Sequence, residues 1–165
     1  MSAMDKKNHV SESLNVELNN LRLQSLLCDI TITDESERTL QAHSVVLAAG
    51  IHVLKNVFTM KQSQDLIRNQ GLTIKVRGVN IELWNVILDY VYLRSLTLSI
   101  PIDILIQLYQ VAKMLDIRSL VSNLEKSISN LGLELSLPED SASVHITLAP
   151  TKYAEVPVSK NEQVF

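Results

Sequence analysis

The segment from Cys28 to Ala49 constrains the fold of this chain more than any other. Cys28, Ile30 and Ile32 alternate with Asp29, Thr31 and Thr33, which is the period of a strand buried on one face. A polar turn over Asp34 to Glu37 follows, and Arg38 to His43 alternates again through Leu40 and Ala42, so a hairpin is expected. Ser44 suits the N-cap of a helix over Val45 to Ala49, and Gly50 suits its C-terminal stop. Strands and helices are therefore mixed from the outset.

The residues before this segment read as a helix with two apolar sides. At 100° per residue, Val10, Leu14, Leu18 and Leu21 fall on one side, and Val16, Leu23 and Leu27 fall nearly opposite. A helix at the edge of a monomer needs one apolar stripe, so the second implies burial on both sides. Either a partner chain or a sandwiched position within the same domain supplies it. On the first reading Val10, Leu14, Leu18 and Leu21 form a dimer interface. Glu17, Asn20 and Gln24 share a face beside Leu21 and are a candidate groove for a partner.

After the hairpin, Val53/Val57 and Leu54/Phe58 are i,i+4 pairs of a short helix, and Thr59 to Gln70 reads as a polar loop. Gly71 and Gly78 bracket a strand, Leu72 to Val76. Asn80 can cap a helix over Ile81 to Leu93, whose polar stripe is only Glu82, Asn85 and Asp89, so this helix is expected at the buried centre. Leu96 to Leu98 reads as a short strand. Pro101 fits the first turn of a helix carrying Leu105, Leu108, Ala112 and Leu115. Its partner, about Ser119 to Leu131, repeats the spacing through Val121, Leu124, Ile128 and Leu131, so an antiparallel pair turning near Asp116 is expected. The layout is α+β.

Charge divides the chain. The body through Gly132 carries 13 acidic and 13 basic residues, so the net charge of −3 lies in the remainder, together with Pro138, Pro150 and Pro157. Residues 1–132 are expected to form one domain, and residues 133–165 an acidic, proline-containing tail or linker. Within the tail, Leu133 to Leu137 and Val144 to Leu148 alternate like strands, and one of them is expected to join a sheet edge. A charge-balanced body lacks the basic footprint that grips phosphates, so no direct nucleic-acid partner is expected. There is no apolar run of the roughly 20 residues that span a bilayer and no apolar leader, so no membrane partner is expected. The single cysteine, Cys28, suits a reducing compartment.

No chemistry-bearing cluster stands out. His43, Ser44 and Asp29 supply the residue types of a triad, and Cys28 with His43 those of a dyad, but no glycine-rich elbow presents Ser44, and Cys28 sits at an inward strand position. His9, His52 and His145 lack metal spacing, and no phosphate loop is present. The expectation is no enzyme, no metal and no cofactor, with His43 a buried, hydrogen-bonded structural residue.

Leu27-Cys-Asp-Ile-Thr-Ile32, Leu40-Gln-Ala-His-Ser-Val-Val-Leu-Ala-Ala49 and Val57-Phe-Thr59, followed by Leu88-Asp-Tyr-Val-Tyr-Leu93 and Lys113-Met-Leu-Asp-Ile117, resemble the BTB/POZ domain in order and spacing over about Val10 to Leu131. The resemblance implies that fold and a homodimerising protein-interaction module. Such modules commonly belong to zinc-finger transcription regulators, often nuclear repressors, or to cytoplasmic substrate adaptors of cullin ubiquitin ligases. In the regulators, an aspartate at the place of Asp29 pairs across the dimer with a basic residue after the histidine. Here Ser44 stands at that place, so the Asp29/Ser44 pocket is half changed. The helix edge at Glu17, Asn20, Leu21 and Gln24 corresponds to a groove that takes corepressor peptides. Adaptors carry a hydrophobic-x-Glu element where this chain has Phe58-Thr-Met-Lys-Gln-Ser-Gln64 without a glutamate, so weak cullin binding is expected and the regulator is favoured.

Overall fold

A computed structural model describes residues 3–96, 100–132 and 145–151, with side chains of the first helix described from Ser13 onward. The elements run α1 (Ala3–Leu23), β1 (Ile30–Thr33), β2 (Thr39–Ala42), α2 (Ser44–Gly50), α3 (His52–Phe58), α4 (Lys61–Asn69), β3 (Leu72–Val76), α5 (Ile81–Leu93), α6 (Ile102–Met114), α7 (Arg118–Asn130) and β4 (Ile146–Pro150). The expected strand at Leu96 to Leu98 lies largely outside the described residues.

The sheet order is β2-β1-β3-β4. The expected hairpin pairs β1 with β2 antiparallel, from Ile30 opposite Ala42 to Thr33 opposite Thr39. β3 joins β1 in parallel, a connection that the three helices α2, α3 and α4 make possible. Ile30, Ile32, Leu72, Ile74 and Val76 are fully buried on one face of the sheet, against the helices. β4 then closes the outer edge of β3, so the expected strand in the tail is present, shifted to Ile146–Pro150.

Helix α5 is the expected centre. Trp84, Ile87 and Leu88 are fully buried, Glu82 and Asn85 are exposed, and the Asn80 side chain accepts the Leu83 N–H at 2.9 Å as its cap. The pair α6/α7 packs as expected, with one change of phase. Leu120, Leu124 and Ile128 are the buried stripe of α7, Val121 is half-buried and Leu131 is exposed. Buried Ile117, directly after the left-handed Asp116, sets that phase.

Two local readings are corrected. Thr59 to Gln70 is not a loop, because Lys61–Asn69 forms α4. Its helical face is narrow: buried Ser63 with half-buried Leu66 and Ile67 at i, i+3 and i+4, and the polar majority conceals this spacing. Gly50 does not stop α2 by adopting a left-handed conformation. It is the last residue of the helix, and a Cβ there would meet the buried Val91 Cγ1 of α5 at 2.6 Å, so its role is close approach of two helices.

Candidate protein-interaction surface

Helix α1 packs on α5 through a face that periodicity did not indicate. Among its described side chains the buried ones are Asn19 and Arg22, with Leu18 half-buried against the core. The Arg22 guanidinium donates to Asp89 Oδ1 at 2.7 Å and to Asn19 Oδ1 at 2.9 Å, and lies 5.2 Å above the centroid of the Tyr92 ring. Arg22 is 4% exposed, whereas Leu14, Val16 and Leu23 of the same helix are 59%, 48% and 66% exposed. Buried polar groups beside exposed large apolar ones are the informative departure from ordinary surface statistics.

The apolar exposure continues past the helix. Leu26 and Leu27 follow in a short loop, with Leu27 83% exposed, and Val45 in the first turn of α2 is 72% exposed. The residues next to them in the chain are in contact: Cys28 Sγ lies 3.7 Å from His43 Nε2, and Asp29 is bonded to Ser44. Ser25 and Leu27 both have left-handed backbone, at φ 55° and 57°, which costs a non-glycine residue about 1–2 kcal/mol. That strained loop turns the Leu26 carbonyl inward onto the His43 ring and leaves the leucine side chains outside.

His43 is the structural residue expected. Its Nε2 donates to the Leu26 carbonyl at 2.9 Å, which fixes the tautomer and leaves Nδ1 to accept from the Tyr92 hydroxyl at 2.8 Å. The same hydroxyl accepts the His43 main-chain N–H at 2.9 Å. Burial pushes the Tyr92 phenol up to about 12, so the O–H stays in place. Tyr92→Phe removes the partner of two buried groups at once and is expected to cost about 2–4 kcal/mol, read as a fall in the urea midpoint with an unchanged slope.

The triad residue types do not assemble into a triad. Asp29 takes both bonds directly from Ser44, Oδ1 accepting its N–H at 2.6 Å and Oδ2 its hydroxyl at 2.5 Å. Ser44 therefore does not cap α2. His43 occupies the N-cap position without a side-chain cap bond. The Asp29 carboxylate is satisfied within the chain by a hydroxyl where a basic residue was the alternative. Cys28 is half-buried just before β1, and burial followed by the Asp29 charge pushes its thiol above the ordinary range. With the Nε2 proton committed to Leu26, the imidazole is no base for that thiol.

Of the dimer residues expected from sequence, Leu14 is exposed, Leu21 is half-buried, Leu18 packs partly on its own core, and Val10 lies outside the described side chains. Glu17, Asn20 and Gln24 are exposed along one edge of α1. Leu23, Leu26, Leu27 and Val45 are further exposed apolar residues, and sequence reasoning missed all but Leu23 and Leu27, which it placed on the opposite side. Also missed were a cleft of about 540 Å³ between α2 and the α6–α7 turn, lined by Ala48, Gly50, His52, Arg94 and Arg118 among others, and the buried Asp34. Asp34 accepts the main-chain N–H groups of Ser36, Arg38 and Ile81 and the Arg38 side chain, and Arg38 bridges on to Glu82. Burial would raise the Asp34 carboxyl, but the Arg38 bonds outweigh it and hold the group below the ordinary range. The hairpin turn is thus tied to the start of α5.

Residues 18–131 match the BTB/POZ domain family. The chain belongs to that family. The BTB domain of zebrafish PATZ1 superimposes with a TM-score of 0.61 at 22% identity, covering 75% of this chain and 94% of that one, so the α+β BTB fold of seven helices and a four-stranded sheet among the described residues is shared. Human Kelch-like protein 2 is 30% identical over 64% of the chain and 18% of its own length. Mouse GDNF-inducible zinc finger protein 1 is 29% identical over 86% of the chain and 21% of its own length. The chain thus spans about a fifth of these curated relatives. It is a protein-interaction module of the kind found on both sides of that division. Among the described residues, no helix is long and apolar enough to cross a membrane.

Proposed function

We propose that this BTB domain is the homodimerising module of a transcription regulator, acting in the nucleus as part of a repressor whose DNA-binding part is a separate region. The observation that carries dimerisation is the exposure pattern of α1: the helix spends polar Asn19 and Arg22 on its own domain and leaves Val16 and Leu23 uncovered on one flank and Leu14 on the other, with Leu26, Leu27 and Val45 also exposed. A second copy offers the same exposed leucines, so a two-fold contact through the Leu23, Leu27 and Val45 side covers that side of both subunits. Charge balance in the body keeps nucleic acid out of this role. The exposed edge at Glu17, Asn20 and Gln24 beside Leu21 remains the proposed seat of a corepressor peptide.

The regulator is favoured over the cullin adaptor on two grounds. The match to a zinc finger protein extends over 86% of the chain, against 64% and 77% for two kelch-type proteins. In addition, Gln62 and Gln64 of α4 are neutral where an adaptor would offer a carboxylate. The missing charge-assisted bond is worth about 1.5–3 kcal/mol, or roughly tenfold to a hundredfold in affinity. Calorimetry with a purified cullin N-terminal region is expected to give micromolar or weaker binding, and a nanomolar dissociation constant would overturn the assignment in favour of an adaptor.

A further inference from the structure

The outer edge of β3 is a strand-binding site whose occupant is weakly specified by side chains. β4 lies on it in full register, from Leu72 opposite Pro150 to Val76 opposite Ile146. The main chain does most of the holding. The Arg77 N–H donates to the His145 carbonyl at 3.1 Å and the Thr151 N–H to the Gly71 carbonyl at 3.1 Å. Since Leu72 N–H is given to Asp29 on the β1 side, alternation along β3 turns Thr73 and Lys75 toward β4 as well.

Side chains add little. Ile146 is half-buried on the core, Thr151 shares a hydroxyl bond of 3.1 Å with Thr73, and Thr147, Ala149 and Pro150 are exposed. Leu148 points to the core side of the sheet opposite fully buried Ile74, yet is 37% exposed. The helical layer therefore ends beneath β3, and β4 overhangs it. A strand with so few buried apolar contacts opens at low free-energy cost. An emptied β3 edge, however, presents a row of unpaired donors and acceptors that recruits another extended segment. The far edge of β4 does not compete for that role: Pro150 sits where its missing N–H would have faced outward.

What refills the edge must be extended, carry a branched apolar residue at the place of Ile146 and a hydroxyl at the place of Thr151. One segment known to meet those requirements is β4 itself, and a dimer contains two. Leu133 to His145 join Gly132 to β4, a connection that reaches up to about 45 Å when extended, against a diameter of roughly 35 Å for a domain of this size. We infer that β4 is an exchangeable strand, and that in the dimer it occupies the β3 edge of the partner subunit as well as its own. This rests on the dimer reading above. The contacts are identical in the two arrangements, so they differ only by the cost of the connection. A difference under about 1 kcal/mol leaves the minor arrangement at a tenth or more of the population.

The test places cysteines at the directly paired positions Thr73, half-buried, and Ala149, exposed, in the full chain, with Cys28→Ser to remove the native thiol. Paired residues of this kind lie about 5.5 Å apart at Cα, within disulfide reach. Slow oxidation of the T73C/A149C protein is expected to yield a reductant-sensitive covalent dimer making up at least about a tenth of the product, beside cross-linked monomer. Mixed T73C and A149C single variants, refolded together, are expected to give a peptide disulfide joining residue 73 to residue 149. Cross-linked monomer alone, or no 73–149 disulfide in the mixture, would overturn exchange. Light scattering on the same samples under reduction separates the two ideas, since a dimeric mass with only intrachain cross-links removes exchange and leaves the dimer standing.

Discussion

Replacing Asp89 with leucine is expected to destabilise the domain by about 3 kcal/mol, more than replacing its partner Arg22 with methionine. The two are joined at 2.7 Å, but their surroundings differ, with side-chain exposures of 3% for Arg22 and 50% for Asp89. Removing the carboxylate leaves a guanidinium inside the domain with only Asn19 and the face of Tyr92 for compensation. Removing the guanidinium leaves a carboxylate that water can reach, and methionine fills much of the vacated space. The half-exposed partner places the estimate at the low end of the range for broken buried pairs. Urea unfolding of both variants checks the order, and equal losses would show that Arg22 is not the residue that needs the pair.

The second large effect is on assembly. Leu27→Asp is expected to leave the folded subunit intact, because Leu27 is 83% exposed and its left-handed backbone suits aspartate better than leucine. In a two-fold contact each subunit loses one buried leucine, about 1.5–3 kcal/mol apiece, so the dimer weakens by about 3–6 kcal/mol, or roughly 10² to 10⁴-fold. Val45→Asp, at 72% exposure, tests the same surface from α2. A normal dimer in both variants would place the interface elsewhere on the molecule.

Elements governed by local chemistry were legible in the sequence. The β1/β2 hairpin follows from strict alternation on either side of a polar turn, and α5 from its Asn80 cap and narrow polar stripe. Its polar stripe even contained Asp89, but not the reason for it, because Arg22 lies 67 residues away in the chain. The packing face of α1 was illegible for the same cause. Hydrophobic periodicity assigns leucines to the interior, and here a long-range ion pair claims the inner face instead, leaving Leu14 on one flank and Val16 and Leu23 on the other. The Asp29–Ser44 contact was half legible: the missing base was evident, whereas the use of the serine hydroxyl in its place required the hairpin geometry. Helix α4 failed because a few inward residues among many polar ones are enough when the body of the domain lies beneath them.

The central claim, that the exposed leucines of α1 and its loop are covered by a second copy of the chain, is tested most directly by static light scattering at micromolar concentration. The predicted mass is twice the 18.5 kDa of one chain. A stable mass of one chain under those conditions, with the protein folded, would contradict it.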